Sequence, residues 1–327
     1  MSKTAKNILF LILSTLVGVA LMGWIYRGFN VRLIADFFAL RSNYFWIILT
    51  LLAGIVANVF RSLRWRQLLA ASGIRISLRR AVELVFISYL INSVTPRLGE
   101  LTRSLLVRRG NADVTGRALG TVVVEKLADL FCLILVVGLA VALRWDATVG
   151  LVRHTTEGLQ WAVPAEGLFL IVACAVCLVI GVSLPLWKHL RRFFQNLWQG
   201  ISAIARLAHP WRFAALCAGI WTCNFLQLFL LIPCFAALGS LSWADAVHVF
   251  AVASVGVLLP TPAGAGPWHF AVVQTLTKAY HVVPQVAKSF ALVTHGLKTL
   301  LVMLLGVIGY ASYYWGMVAW WRRRAMS

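Results

Sequence analysis

Two stretches decide how this chain folds: Asn92-Ser93-Val94-Thr95-Pro96-Arg97-Leu98-Gly99-Glu100 and Leu258-Leu259-Pro260-Thr261-Pro262-Ala263-Gly264-Ala265-Gly266. Each ends an apolar segment, 82–96 or 246–262, and each precedes a short helical stretch and then a long apolar run. Proline lacks a backbone donor and its ring clashes with the preceding turn, so a continuous helix stops there. Threonine caps helix N-termini, and proline is at home in the first helical position. The pattern predicts a new half-helix at each Pro, its N-terminal pole pointing into the membrane, where free N–H groups suit an anion. Gly264-x-Gly266 adds room for a close approach of backbone to a ligand. A proline kink in a buried helix would explain one Thr-Pro. Two in register argue for a paired device.

Around these breaks the composition is that of a membrane protein. About 61% of the residues are apolar and 12% are charged, where globular domains carry about 25% charge. A helix crosses the hydrocarbon layer with about 20 apolar residues, and six such spans are expected, at 7–26, 44–60, 118–143, 166–187, 213–239 and 289–318. The first, Asn7 to Tyr26, has too long an apolar core for a signal peptide, and no small-x-small cleavage site follows it.

The net charge of +20 would suggest nucleic acid in a soluble protein. Here the basic residues gather in alternate loops, the positive-inside pattern, so no nucleic-acid partner is expected. Lys3 and Lys6, the group Arg61 to Arg80, the stretches 97–117 and 188–212, and Arg322-Arg323-Arg324 fall on one side, the cytoplasm. They hold 21 of the 30 Lys and Arg residues, with seven opposite and Lys126 and Lys298 inside spans. Both termini are then cytoplasmic, provided that 82–96 enters from the cytoplasm and returns, and 246–262 does the same from the other side. Non-helical backbone at that depth must face protein or a watery cavity.

The expected fold class is an all-α polytopic membrane protein with about six spanning helices and two oppositely inserted re-entrant helical hairpins. It is read as one transmembrane domain, 1–327, with halves 5–143 and 165–320. Each half holds three spans, an odd number, which makes them an inverted repeat. Such repeats put transport sites near the bilayer midplane.

Ionisable residues at that depth are costly and normally face the bundle interior with a partner. Arg97, Glu100 and Arg103 follow the first break, and the i, i+3 spacing sets Glu100 beside both arginines. Glu125 and Asp129 share a face of the third span, with Lys126 alongside. In the second half His269 follows the glycines, and His295 and Lys298 share a face of the last span. These groups suggest a polar groove in which arginines meet a phosphate, since the guanidinium fork pairs phosphate bidentately. Structural ion pairs fastening the bundle are the alternative, and for the histidines a simple buried hydrogen bond. Arg61-x-x-Arg64-Trp65-Arg66 and 188–207 read as interfacial amphipathic helices, with Trp65, Trp187 and Trp198 at headgroup level.

The six cysteines, Cys132, Cys174, Cys177, Cys217, Cys223 and Cys234, fall within or beside expected spans and read as packing residues. There is no Asp-Asp-x-x-Asp, His-Glu-x-x-His or Gly-x-Ser-x-Gly motif and no Walker loop. No enzyme activity, metal or cofactor is therefore expected.

Arg61-Ser62-Leu63-Arg64-Trp65-Arg66-Gln67-Leu68-Leu69, the first break with Arg103, Glu125-Lys126-Leu127-Ala128-Asp129, and Pro260 to Gly266, taken in order, resemble the flippase-like transmembrane family. That family includes the membrane region of bacterial lysylphosphatidylglycerol synthases, and the similarity covers about residues 5 to 320. The resemblance implies a lipid transporter or flippase in a bacterial inner (cytoplasmic) membrane. Its lipid would be an anionic phospholipid, a hopanoid or an isoprenoid-linked lipid, and a homo-oligomer or a lipid-synthesis enzyme its protein partner. Arg97 and Arg103 would meet the phosphate, with Glu100, Glu125 and Asp129 orienting them. Thr95, Pro96, Gly99, Thr261, Pro262, Gly264 and Gly266 would shape the half-helix ends. Two departures stand out. No aminoacyl-transferase domain follows Ser327, so aminoacyl-lipid synthesis is not carried over. Pro267-Trp268-His269 also stands where the family commonly has an acidic residue, which makes pH-sensitive behaviour through His269 a separate expectation. An integral membrane transferase using Glu125 or Asp129 as base, and a non-transporting scaffold of a lipid-synthesis complex, are the rival readings.

Overall fold

The computed structural model describes residues 3–95, 98–107, 112–162, 207 and 209–325. Regular structure among the described residues is helical throughout. The first half holds α1 (Lys3–Ile25), α2 (Arg32–Ala39), α3 (Asn43–Ala71), α4 (Leu78–Val94), α5 (Leu98–Leu106), α6 (Ala112–Leu143) and α7 (Trp145–Ala162). The second holds α8 (Pro210–Phe229), α9 (Trp243–Gly256), α10 (Pro267–Gln274) and α11 (Pro284–Ala325). Among the described residues four stretches are long and apolar enough to cross a bilayer: Asn43–Ala71, Asp113–Leu143, Pro210–Cys234 and Pro284–Gly316. The chain is an all-α polytopic membrane protein. The expected span 166–187, Cys174, Cys177 and nearly all of 188–207 lie outside the described residues.

Two spans differ from expectation. Helix α3 continues past residue 60 to Ala71, which carries Arg61, Arg64 and Trp65 into the bundle. The span 213–239 is helical only to Phe229 and then passes through short 3-10 turns at Ile232–Cys234 and Ala236–Leu238. Pro233 accounts for this, because it offers no N–H and crowds the carbonyl four residues back.

The helix starts follow local chemistry. The Ser77 hydroxyl accepts from the Arg80 N–H at 3.2 Å to open α4. Ser242 and Asp245 form a reciprocal capping box that opens α9. Helices α8, α10 and α11 begin at Pro210, Pro267 and Pro284, where the missing donor costs nothing.

At both Thr-Pro breaks the chain doubles back on itself. A Cβ on Gly99 of α5 would collide with the Ser88 carbonyl of α4, so only glycine lets the two arms close. The Gly99 N–H donates to Asn92 Oδ1 at 2.8 Å, so α4 supplies the cap for α5. In the second hairpin a Cβ on Gly256 of α9 would lie 2.8 Å from the Pro267 carbonyl oxygen of α10.

Packing partners answer one another across the halves. Helix α4 lies along α11 and α9 lies along α6, while α3 pairs with α8. Helix α5 rests on α6 as α10 rests on α11. Lipid tails are as apolar as leucine, so such contacts depend on close fit more than on the hydrophobic effect.

Candidate functional site

The clearest concentration of polar chemistry lies where α3, α5 and α6 meet. Arg64 of α3 is fully buried. Its Nη1 and Nη2 donate to Asp129 Oδ1 and Oδ2 at 2.7 and 3.1 Å, a bidentate pair. Nη2 also donates to Glu125 Oε1 at 3.2 Å, and Nη1 reaches Cys217 Sγ at 3.4 Å. Arg103 of α5 donates to the other oxygen of Glu125 at 2.6 Å. Glu125, only 1% exposed, is thus held by two arginines from different helices. The Arg103 guanidinium lies 4.6 Å from the centroid of the Trp65 ring, whose Nε1 donates to Thr121 Oγ1. Arg64 and Arg103 each keep a buried Nε with no partner.

Two cations at this site are less committed. Arg61 is one helical turn from Arg64, 3.6 Å from Asp129 Oδ2 and 3.8 Å from Glu125 Oε1, over the Tyr89 ring at 5.5 Å. Lys298 of α11 is exposed and comes within electrostatic reach of Arg61. Lys126 pairs with Glu100 at 2.7 Å, and the other Glu100 oxygen accepts from Asn92 Nδ2 at 3.1 Å.

Several sequence expectations change here. Glu100 pairs with Lys126, and Arg103 with Glu125, instead of the two pairing with each other. On the short helix α5 each side chain is claimed by α6. Trp65 and Arg64 are not interfacial anchors; both are fully buried. Their signal was the unmatched acidic pair Glu125 and Asp129, whose burial demands cations on another helix. Thr95 closes α4, its hydroxyl donating to the Ile91 carbonyl at 2.8 Å, and α5 is described from Leu98 onward. Pro96 and Arg97 lie outside the described residues.

In the second hairpin Thr261 precedes only a 3-10 turn, Pro262–Gly264, and the helix proper begins at Pro267 after Gly266 at φ 90°. Gly264 sits in that turn at φ 75°. What approaches Gly266 is α1: a Cβ there would stand 2.9 Å from the Gly18 carbonyl oxygen. Helix α1 therefore covers the space expected for a ligand.

His269 and His295 do come together, their ring centroids 4.6 Å apart, at the junction of α10 with α11. Arg103 and His269 each stand eight residues after the threonine of their break. His295 of α11 meets that residue of the second hairpin as Glu125 of α6 meets that of the first. Sequence reasoning missed a further cluster near the start of α9. There Arg144 pairs with Asp245 at 2.6 Å, and His248 lies 2.8 Å from the Tyr280 hydroxyl.

The family model of the lysylphosphatidylglycerol synthase TM region matches residues 11–306. The chain belongs to this family. Comparisons with curated proteins and with solved structures gave no match. The match takes in both hairpins, the charged junction of α3, α5 and α6, and the histidine pair. The lysylphosphatidylglycerol synthase membrane region is thus represented here by a multi-pass protein related to lipid handling.

Proposed function

We propose that the chain moves an anionic, polar-headed lipid between the leaflets of the inner membrane. The headgroup travels along the charged junction while the acyl chains stay in lipid. One observation carries this reading: among the described residues Arg61, Arg64, Arg103 and Lys126 share only Glu100, Glu125 and Asp129 in the junction, and Lys298 lies within electrostatic reach of Arg61. Such an excess of positive charge within a membrane bundle suits a phosphate. Arg61, with its loose contacts, is the group freest to take it, and Arg64 and Arg103 form the fixed wall behind.

The reading includes two re-entrant hairpins of opposite insertion within an inverted repeat. The reciprocal packing of α4 on α11 and α9 on α6 supports it. Cytoplasmic termini are supported by the distribution of basic residues. Chemistry on the lipid is not part of the proposal.

The test uses the full chain in proteoliposomes containing headgroup-labelled phosphatidylglycerol, with a membrane-impermeant quencher reporting the outer leaflet. Wild type should equilibrate the label, and Arg61→Gln and Glu100→Ala should slow it while unfolding at near wild-type temperature. No exchange by wild type overturns the reading. A chemically altered lipid would favour the transferase.

A further inference from the structure

The junction of α10 with α11 holds titratable groups that the phosphate path leaves unused. His269 is 2% exposed, and its Nδ1 is buried without a hydrogen-bond partner. The neighbouring His295 is fully engaged. Its Nε2 lies 3.1 Å from the Ala263 carbonyl oxygen, and its Nδ1 lies 3.3 Å from Thr299 Oγ1. A carbonyl only accepts, so Nε2 carries the hydrogen, and the neutral ring then accepts at Nδ1 from the threonine hydroxyl. Through Ala263, His295 also grips the turn of the second hairpin.

The surroundings offer no negative charge. From α1, the Tyr26 ring stands 5.8 Å from His269, and its hydroxyl donates to the Lys288 carbonyl. From α10, Trp268 stands 5.1 Å from His295, and Lys278, beyond the end of that helix, is exposed. On α11, Lys298 lies within electrostatic reach of both His295 and Arg61 of α3, and Lys288 donates to the Arg27 carbonyl. On α9, Asp245 is held by Arg144 and Ser242, and His248 by Tyr280 and Thr148. On α4, Glu83 is held by Arg79 and Ser312, and Asp36 on α2 is exposed. No carboxylate among the described residues is paired with either ring.

We propose that His269 and His295 form a proton-binding site whose occupancy drives the second hairpin apart from α11 during lipid movement. This rests on the lipid-transport reading above. Two imidazolium ions at this spacing repel strongly, so the pair takes one proton at a time. That proton finds no counter-ion in the packed junction. Uptake therefore goes with a parting of α10 from α11 that admits water or an anionic headgroup to the ring. The corresponding junction in the first half is the 2.6 Å ion pair of Arg103 with Glu125, which holds α5 against α6. One junction is the fixed wall and the other the moving one.

The test has two arms on the full chain in lipid bilayers. In the first, nitrogen-15 histidine NMR follows the imidazole signals from pH 8 down to about 3, since a buried ring without a counter-ion takes its proton reluctantly. At the upper end His295 should show hydrogen on Nε2 and none on Nδ1. On acidification one pair signal, lost in His269→Gln or His295→Gln, should move to the imidazolium position. In the second arm, labelled phosphatidylglycerol exchange is measured over the same range. Wild type should speed up with acid, and both Gln variants should lose that dependence. Absence of any titrating pair signal overturns the proton site, whether or not lipid moves. So does lipid exchange with the same pH profile in wild type and variants. Lipid that stays put at every pH while the pair titrates overturns the transport reading and, with it, the coupling.

Discussion

The two hairpin junctions use one plan with opposite chemistry. In the first, Arg103 and Glu125 meet at 2.6 Å with Arg64 and Asp129 close by. In the second, His269 and His295 meet ring to ring with no carboxylate. The first is a lattice of charges in which each group needs the others. The second is a neutral contact that a single proton can disturb. On the proposed proton site, only the second junction changes its charge.

The sharpest way to break this contrast is to remove, in turn, the residue of the long helix that meets each hairpin. Glu125→Ala leaves the buried Arg103 guanidinium without a counter-charge and takes one of two carboxylates from Arg64, and a loss of about 3–5 kcal/mol is expected. His295→Ala deletes two neutral hydrogen bonds and should cost about 1–3 kcal/mol. Thermal unfolding of both variants in the same detergent gives the order, and a larger fall for His295→Ala would refute the contrast. Next come the hairpin closures. Gly99→Ala sets a methyl group against the Ser88 carbonyl, an overpacking expected to cost about 1–3 kcal/mol. Gly256→Ala should fall in the lower part of that range, because its nearest contact is less severe.

Arg61 separates transport from stability. Its ion pairs are long and its side chain 17% exposed, so Arg61→Gln should cost under about 1 kcal/mol. Lipid exchange should nevertheless fall about tenfold or more, the worth of one charge-assisted hydrogen bond. Smallest of all, Arg80→Ala removes a guanidinium 3.8 Å from the Tyr313 ring between α4 and α11. About 0.5–1 kcal/mol should be lost. Because α9 and α6 lack that contact, the second hairpin's resistance to proteolysis should not change.

Much of the architecture was legible because it rests on single residues with strong local rules. The Thr-Pro pairs stop helices wherever they occur, and the apolar runs are long enough to have only one home. The reach of α3 was harder to read. Arg61, Arg64 and Arg66 look like a loop unless Glu125 and Asp129 are first recognised as needing partners. The pairing of Glu100 was misread for a related reason: its i, i+3 neighbour on α5 competes with Lys126 on another helix, and sequence spacing reports only the first. Thr261 carried the cap signal, but the chain first passes through the turn Pro262–Gly264, so the following helix opens at Pro267. The closeness of His269 and His295 was beyond local rules, since α10 and α11 are brought together by tertiary packing.

Helix α1 lies across the tip of the second hairpin, Gly18 against Ala265 and Gly266, and its end is tied to the start of α11 through Tyr26 and Lys288. During synthesis these partners emerge far apart in time. Residues 18 to 26 reach the bilayer before any of the second half exists, and residues 263 to 288 follow only after the intervening chain. The earliest helix must therefore hold an unfilled face through most of translation, and the bundle is sealed only when late-arriving chain returns to it.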